Sequence, residues 1–405
     1  MPLPESLRTF QLTRPPADFL DDPYPYYALL RAHDPVHTLE GGGVLLTRYE
    51  DALNVYRDAR ASSDKTIEFR PKFGESPLYE HHTTSLVFND APLHTRVRRL
   101  ILGALNQRAI ARMEGDVKRL VDALLDDLAR KGQADLIEEF AARIPVEVIG
   151  NLLAVPHAER GPLRAWSLAI LSALEPAPGS EILERGNQAV RDFVDYLRML
   201  VAERRKRPGN PESDVLTRLI QGESDGERLT ENELYHNCIF LLNAGHETTT
   251  NLIGNGMWLL LGHPAQMARL RSEPALLGPA IEEMLRYEGP IQLNNRRLTA
   301  QTKVGAADLP AGTFITIAIG AANRDPAQFA EPEQFDVGRN PNRHVAFGQG
   351  AHACAGMNVA RMEARIAFAQ LLSRFADVQL AGDPVRDRRI RFRGFRSLPV
   401  RVHEK

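Results

Sequence analysis

Cysteine is nearly absent from this chain: there are two in 405 residues, Cys238 and Cys354. Two thiols so far apart give no disulfide framework, and a chain of this length builds its core without one, so both are read as reduced and the protein as cytoplasmic. Long apolar runs are missing too. No segment reaches the roughly 18 uninterrupted apolar residues of a membrane span, and the opening MPLPESLRTFQLTRPP has no basic flank leading into an apolar run. Neither export nor an anchor is expected. The net charge of −2 argues against a nucleic-acid partner and leaves room only for a local basic patch facing a small acidic protein. There is no internal repeat and no low-complexity linker.

What is present is an ordinary globular composition, 43% hydrophobic and 25% charged, enough for one large domain or two average ones. Helical periodicity dominates the first two thirds, as in 112–131 and 181–206. Strand-like alternation is confined to 43–49, 314–320 and the tail 389–402, which Gly394 and Pro399 interrupt. The expectation is a mainly α protein with a minor β region, with 206–214 as an exposed loop between helices.

One helix announces its own start. Thr230 and Glu233 form a capping box, with Leu229 and Leu234 placed for a hydrophobic staple, so a helix begins at Glu231 and runs to Leu261, before GHP. At about 1.5 Å per residue it is roughly 45 Å long and crosses the whole domain. Its middle, AGHETTT (244–250), is poor helix material: a glycine costs about 1 kcal/mol against alanine, and three threonines add to that. Broken local rules inside a well-specified helix mark a functional site. HE is not the start of a zinc-protease motif, because Thr250 stands where the second histidine is needed.

The second anomaly is FGQGAHACAG (347–356). Cys354 can be read as a small residue in a tight turn, a nucleophile, a zinc ligand or a haem ligand. A nucleophile needs a base, and His352, two residues away on an extended segment, points to the opposite face. Zinc needs further ligands at metal spacing, which neither cysteine has. A thiolate bound to haem accounts for the glycines: Gly348, Gly350 and Gly356 let the backbone turn sharply and approach a flat ring. The helical periodicity after Cys354 also puts its sulfur at a helix N-terminus, which favours an anion.

This stretch resembles the haem loop of the cytochrome P450 family, F-x-x-G-x-x-x-C-x-G, with Phe347, Gly350, Cys354 and Gly356 in the patterned positions. EEMLR (282–286) resembles the family's E-x-x-R motif, in which Glu283 and Arg286 join an arginine of the preceding loop, here Arg339. AGHETTT is similar to its A/G-G-x-D/E-T motif. The resemblance implies that Ala244 borders the haem pocket, that Gly245 leaves room for dioxygen, and that Glu247 and Thr248 relay protons. His94, Arg98, Arg296 and His352 are implied partners of the haem propionates, and Phe347 and Gly348 part of the cradle. Ala355 departs mildly from the leucine that many members carry there.

The resemblance covers nearly the whole chain and implies one cytochrome P450 domain over 1–405, with the long central helix crossing the haem. It further implies haem b, dioxygen and electrons from NAD(P)H through a ferredoxin and its reductase, for oxygenation of an apolar small molecule. Arg99 and Arg361 are candidate docking cations, and a monomer is expected. A dehydratase or isomerase on the same fold, or a haem-based sensor, are the alternative functions. Segments 76–88, 167–174 and 291–295, with Leu241, are implied pocket walls; Asn294, Asn295 and His246 are candidates to bind a polar substituent, and Cys238 is read as core.

Overall fold

The structure, a computed structural model, describes residues 5–211, 214–224 and 227–405. Its centre is the helix Glu231–Gly262. The capping box forms as the sequence predicts: Glu233 N donates to Thr230 Oγ1 at 3.2 Å and Thr230 N to Glu233 Oε2 at 2.9 Å. Leu234, Cys238, Leu242, Leu252 and Leu260 are buried in the largest core cluster. A helix apolar on nearly every face must be surrounded, and this one packs against Arg143–Leu152, Leu163–Ser172, Ser180–Lys206, Leu277–Tyr287 and Met357–Arg374.

The other two long helices also match their periodicity. Gln107–Lys131 is capped by Asn106, whose side chain accepts from Ala109 N, and stops at Gly132 in the left-handed region, φ 68°. Ser180–Lys206 covers the second span. Lys206 ends that helix, and Asp214 is not exposed loop: it is buried, capping the helix Val215–Gln221 by accepting from Thr217 N. Positions 212–213 of the expected loop lie outside the described residues.

The largest sheet of the minor β region has five strands in the order Val36–Thr38, Val44–Leu46, Phe314–Ala318, Leu293–Leu298, Ala61–Ser62. The expected strands 43–49 and 314–320 shorten because helices begin at Tyr49 and Ile319. The tail departs further. Pro399 does not break a strand but begins one, Pro399–Glu404, between Phe375–Leu380 and Gln133–Asp135; the first residue of a strand tolerates proline. Residues 389–391 join no ladder: Glu175 accepts from Ile390 N and Arg391 N, Arg389 N turns back to Asp387 O, and Arg391 O accepts from Gln292 N. Among the described residues, no helix is long and apolar enough to cross a membrane.

Candidate active site

The cysteine loop is folded on itself. Cys354 N donates to Phe347 O at 2.9 Å, Gly348 N to Val345 O at 2.9 Å and Ala353 N to Gly350 O at 3.1 Å. Gly348 and Gly350 take φ of 64° and 73°, where a side chain is strained. Gly350 is doubly constrained, since a Cβ there would lie 2.4 Å from Tyr56 O. Two of the three glycines are therefore explained by the protein's own backbone rather than by approach to a ring. Gly356 differs: its φ is −93°, and a Cβ there would meet no protein atom within 4 Å.

Cys354 is half-buried, and burial pushes its thiol up; a Gly356 N–H hydrogen bond and the charges of Arg98 and Arg361 pull the other way. The net direction is upward, so the helix N-terminus does not by itself make the anion that the sequence suggests. Ionisation here calls for a further positive charge on the sulfur, such as a metal ion. Cys238 has no such company; it is fully buried in the central helix, with its thiol pushed up to about 12 by burial alone.

Behind the loop, Glu283, Arg286 and Arg339 meet. Arg286 holds Glu283 through Nε at 2.7 Å and Nη2 at 2.8 Å, and Arg339 Nε donates to the same carboxylate at 3.1 Å. The Glu283 and Arg286 side chains have no exposed surface. The remaining Arg286 donors go to the carbonyls of Asn323, Pro332 and Gln334, and Arg339 donates to the carbonyls of Ala330 and Glu331. Asp336 N and Asn342 Nδ2 complete the carboxylate's partners.

The four implied propionate partners also gather. The imidazoles of His94 and His352 stack with centroids 3.8 Å apart. Burial lowers both, His94 to about 4, so both are neutral at pH 7. His94 Nε2 is buried without a hydrogen-bond partner, and His352 Nε2 lies 3.8 Å from Asp90 Oδ1. Arg98 Nη2 donates to Ala353 O at 2.6 Å, on the cysteine loop itself. Arg296, buried, sits 5.3 Å over the Tyr56 ring and donates to Asn295 O. Asp90 and Tyr56 escaped the sequence reading, although Asp90 stands only four residues before His94.

On the central helix, Ala244 is exposed within an otherwise buried stretch, and Thr248 Oγ1, one turn on, donates to Ala244 O at 2.7 Å. Gly245 does not open this space. A Cβ at Gly245 would come within 2.7 Å of Ile149 Cδ1, so the missing side chain serves contact with the neighbouring helix. Glu247 is buried and paired with Arg389 of the tail, so its carboxylate is occupied as a counter-ion. His246 is buried with both ring nitrogens unpartnered, and burial lowers it to about 3. Asn294 and Asn295 are used internally, by Arg296 and by Thr316. Arg361 is held by Glu282 through two 2.7 Å hydrogen bonds and lies 4.7 Å over Phe347, so it is a neutralised packing group rather than a docking charge.

One carboxyl was not foreseen. Glu363, in Met357–Arg374, is buried and pushed up to about 8 by burial, against a hydrogen bond with Thr249 of the central helix. The apolar periodicity around it hid its burial.

A cysteine on a glycine-bent loop, backed by a buried carboxylate–guanidinium network and flanked by imidazoles and guanidiniums, is the arrangement that the resemblance assigns to a haem-thiolate protein. The comparisons agree. The family model described as Cytochrome P450 matches residues 168–399. The chain is 40% identical over 404 residues to cytochrome P450 107B1 of Saccharopolyspora erythraea, covering 95% of this chain and 96% of that one. It is 38% identical over 395 residues to the cytochrome P450 monooxygenase PikC of Streptomyces venezuelae, covering 95% and 92%. The crystal structure of P450BioI in complex with hexadec-9Z-enoic acid ligated acyl carrier protein matches with a TM-score of 0.91 at 33% identity, covering 96% of this chain and 100% of that chain. The chain belongs to the cytochrome P450 family and is a P450 monooxygenase. Membership implies haem, dioxygen and a supply of electrons. The residues present fit a haem: Cys354 supplies a thiol in need of a cation, Gly356 a bare surface, and His94 Nε2 an orphaned polar atom.

Two outcomes follow. Glu283→Gln leaves two guanidiniums poorly compensated and destabilises the fold by about 3 kcal/mol or more, whereas Glu181→Gln, in an exposed pair, changes it by less than about 1 kcal/mol; denaturant unfolding of both variants checks this. Glu363 titrates near 4.5 when unfolded and about 8 when folded. Between those values the folded state retains a proton that the unfolded state has lost, so stability falls as pH rises. Glu363→Gln removes that slope. Its melting temperature relative to the parent should therefore rise between about pH 5 and about pH 9, and a pH-independent difference would refute the assignment.

Proposed function

We propose that this enzyme holds haem b through Cys354 Sγ, with Arg98, Arg296, His94 and His352 at the propionates, and uses it to hydroxylate a largely apolar small organic substrate. The observation that carries the reading is a half-buried thiol on the glycine-bent 347–356 loop, in a chain whose central helix presents a threonine beside the one exposed residue of its middle. Bound there, haem would supply an iron able to activate dioxygen once reduced, and the Cys354 thiolate would be the electron-donating ligand that holds it.

The protein's own residues do the rest. Arg98 and Arg296 supply fixed positive charge, and the neutral imidazoles of His94 and His352 donate hydrogen bonds or take up a proton as an anion arrives. Arg98 also ties its charge to the loop through Ala353 O. Thr248 Oγ holds a proton at the opening, in a hydroxyl oriented by the Ala244 carbonyl. Glu247 refills that position only when its carboxylate leaves Arg389. Leu241 and Phe88, half-buried, offer apolar wall to the substrate.

Electrons reach the site from NAD(P)H through a ferredoxin and its reductase, docked over the cysteine loop. Arg361, near the loop, is already paired with Glu282. Thr248→Ala is expected to keep consuming NAD(P)H while product per NAD(P)H falls several-fold and hydrogen peroxide rises. Product and peroxide quantified together check this, and unchanged coupling would remove Thr248 from the relay.

A further inference from the structure

A pocket of about 230 Å³ lies beside the site and shares Arg296 with it. It is walled by residues of 63–72, by Leu174 and Pro176, by the strand Leu293–Leu298 and by Arg391. Its apolar surfaces include Phe69 and Phe88, but its chemistry is cationic: Lys65, Lys72, Arg296 and Arg391 line it against the carboxylates of Glu68 and Glu40 alone. Glu40 is exposed and paired with Arg14, away from this balance.

The cations differ in how well they are compensated. Lys65, 2% exposed, has Glu68 Oε2 at 2.7 Å. Lys72 has no carboxylate within ion-pair distance among the described residues; its ammonium donates to the main-chain carbonyl of Glu175 at 2.6 Å. Among the described residues the Arg391 guanidinium likewise donates only to neutral acceptors, Leu174 O at 3.1 Å, Leu293 O at 3.3 Å and Asn295 Oδ1, and Glu175 and Glu68 attract it without forming an ion pair. The Glu175 carboxylate is turned to the backbone amides of Ile390 and Arg391. Burial, with the repulsion of Arg391, pushes Lys72 down to about 7, and burial lowers Lys65 as well. Such a cluster is short of negative charge, and a carboxylate placed within it gains charge-assisted hydrogen bonds.

We propose, resting on the monooxygenase reading above, that Lys72 and Arg391 receive the carboxylate of the substrate, so that the enzyme acts on amphiphilic carboxylic acids whose apolar body extends past Phe88 toward the central helix. This makes Lys72 and Arg391 specificity determinants, outside the haem machinery.

Calorimetric titration of the haem-loaded enzyme with dodecanoic, naphthoic and abietic acids, each beside its corresponding alcohol, tests the proposal without turnover. At least one acid should bind about ten-fold or more tightly than its alcohol. Lys72→Met should remove most of that preference while leaving alcohol binding within about two-fold, and Lys72→Arg should restore it. Arg391→Gln gives the same test from the other cation, and its melting curve shows whether it has folded. Alcohols binding as tightly as all three acids, or an acid preference untouched by Lys72→Met, would overturn the proposal. Failure of the underlying reading looks different: the acid preference stands, but no bound compound is oxidised when dioxygen and a ferredoxin system are supplied.

Discussion

The site depends on one buried carboxylate. Glu283 is shared by Arg286 and Arg339, and its remaining lone pairs take Asp336 N and Asn342 Nδ2. Through the carbonyls that the two arginines collect, it ties the helix Leu277–Tyr287 to residues 323–342, the approach to the cysteine loop. A buried ion pair is costly to form and costlier to break halfway, because the survivor is left charged without solvent. The approach to the loop is thus anchored by a network whose partial loss is strongly destabilising. This suits the proposed role of Cys354 as the residue that holds the haem iron.

Around that frame, the electrostatics are uneven. Tail residues Arg389 and Arg391, far from the motifs in sequence, supply one counter-ion to Glu247 and, to the neighbouring pocket, one cation with no ion-pair partner among the described residues. On the cysteine side, burial holds His94 and His352 neutral, so fixed positive charge comes from Arg98 and Arg296. The central helix separates its duties by face. Ala244 and Thr248 border the opening, Gly245 meets Ile149, and Glu247 reaches the tail.

What the sequence disclosed was whatever is encoded locally. The capping box at Thr230, the long periodic helices and the cysteine-loop spacing are short-range patterns, and each appears where it was read. What stayed hidden depends on which segment lies opposite. Gly245 reads as room for a ligand until Ile149 is seen across from it, and Glu247 reads as a free acid until Arg389 arrives from the tail. Arg361 reads as a surface charge until Glu282 grips it. Glu363 could not be read as a buried acid, because no local rule says that a charged residue in an amphipathic helix has been turned inward.

The central claim is that Cys354, and not Cys238, carries the iron. X-ray absorption at the iron edge of the haem-loaded protein tests it most directly. A sulfur scatterer bound to iron is expected in the parent and in Cys238→Ser, replaced by an oxygen scatterer or lost with the haem in Cys354→Ser. A sulfur ligand that persists in Cys354→Ser, or its absence from the parent, would contradict the account.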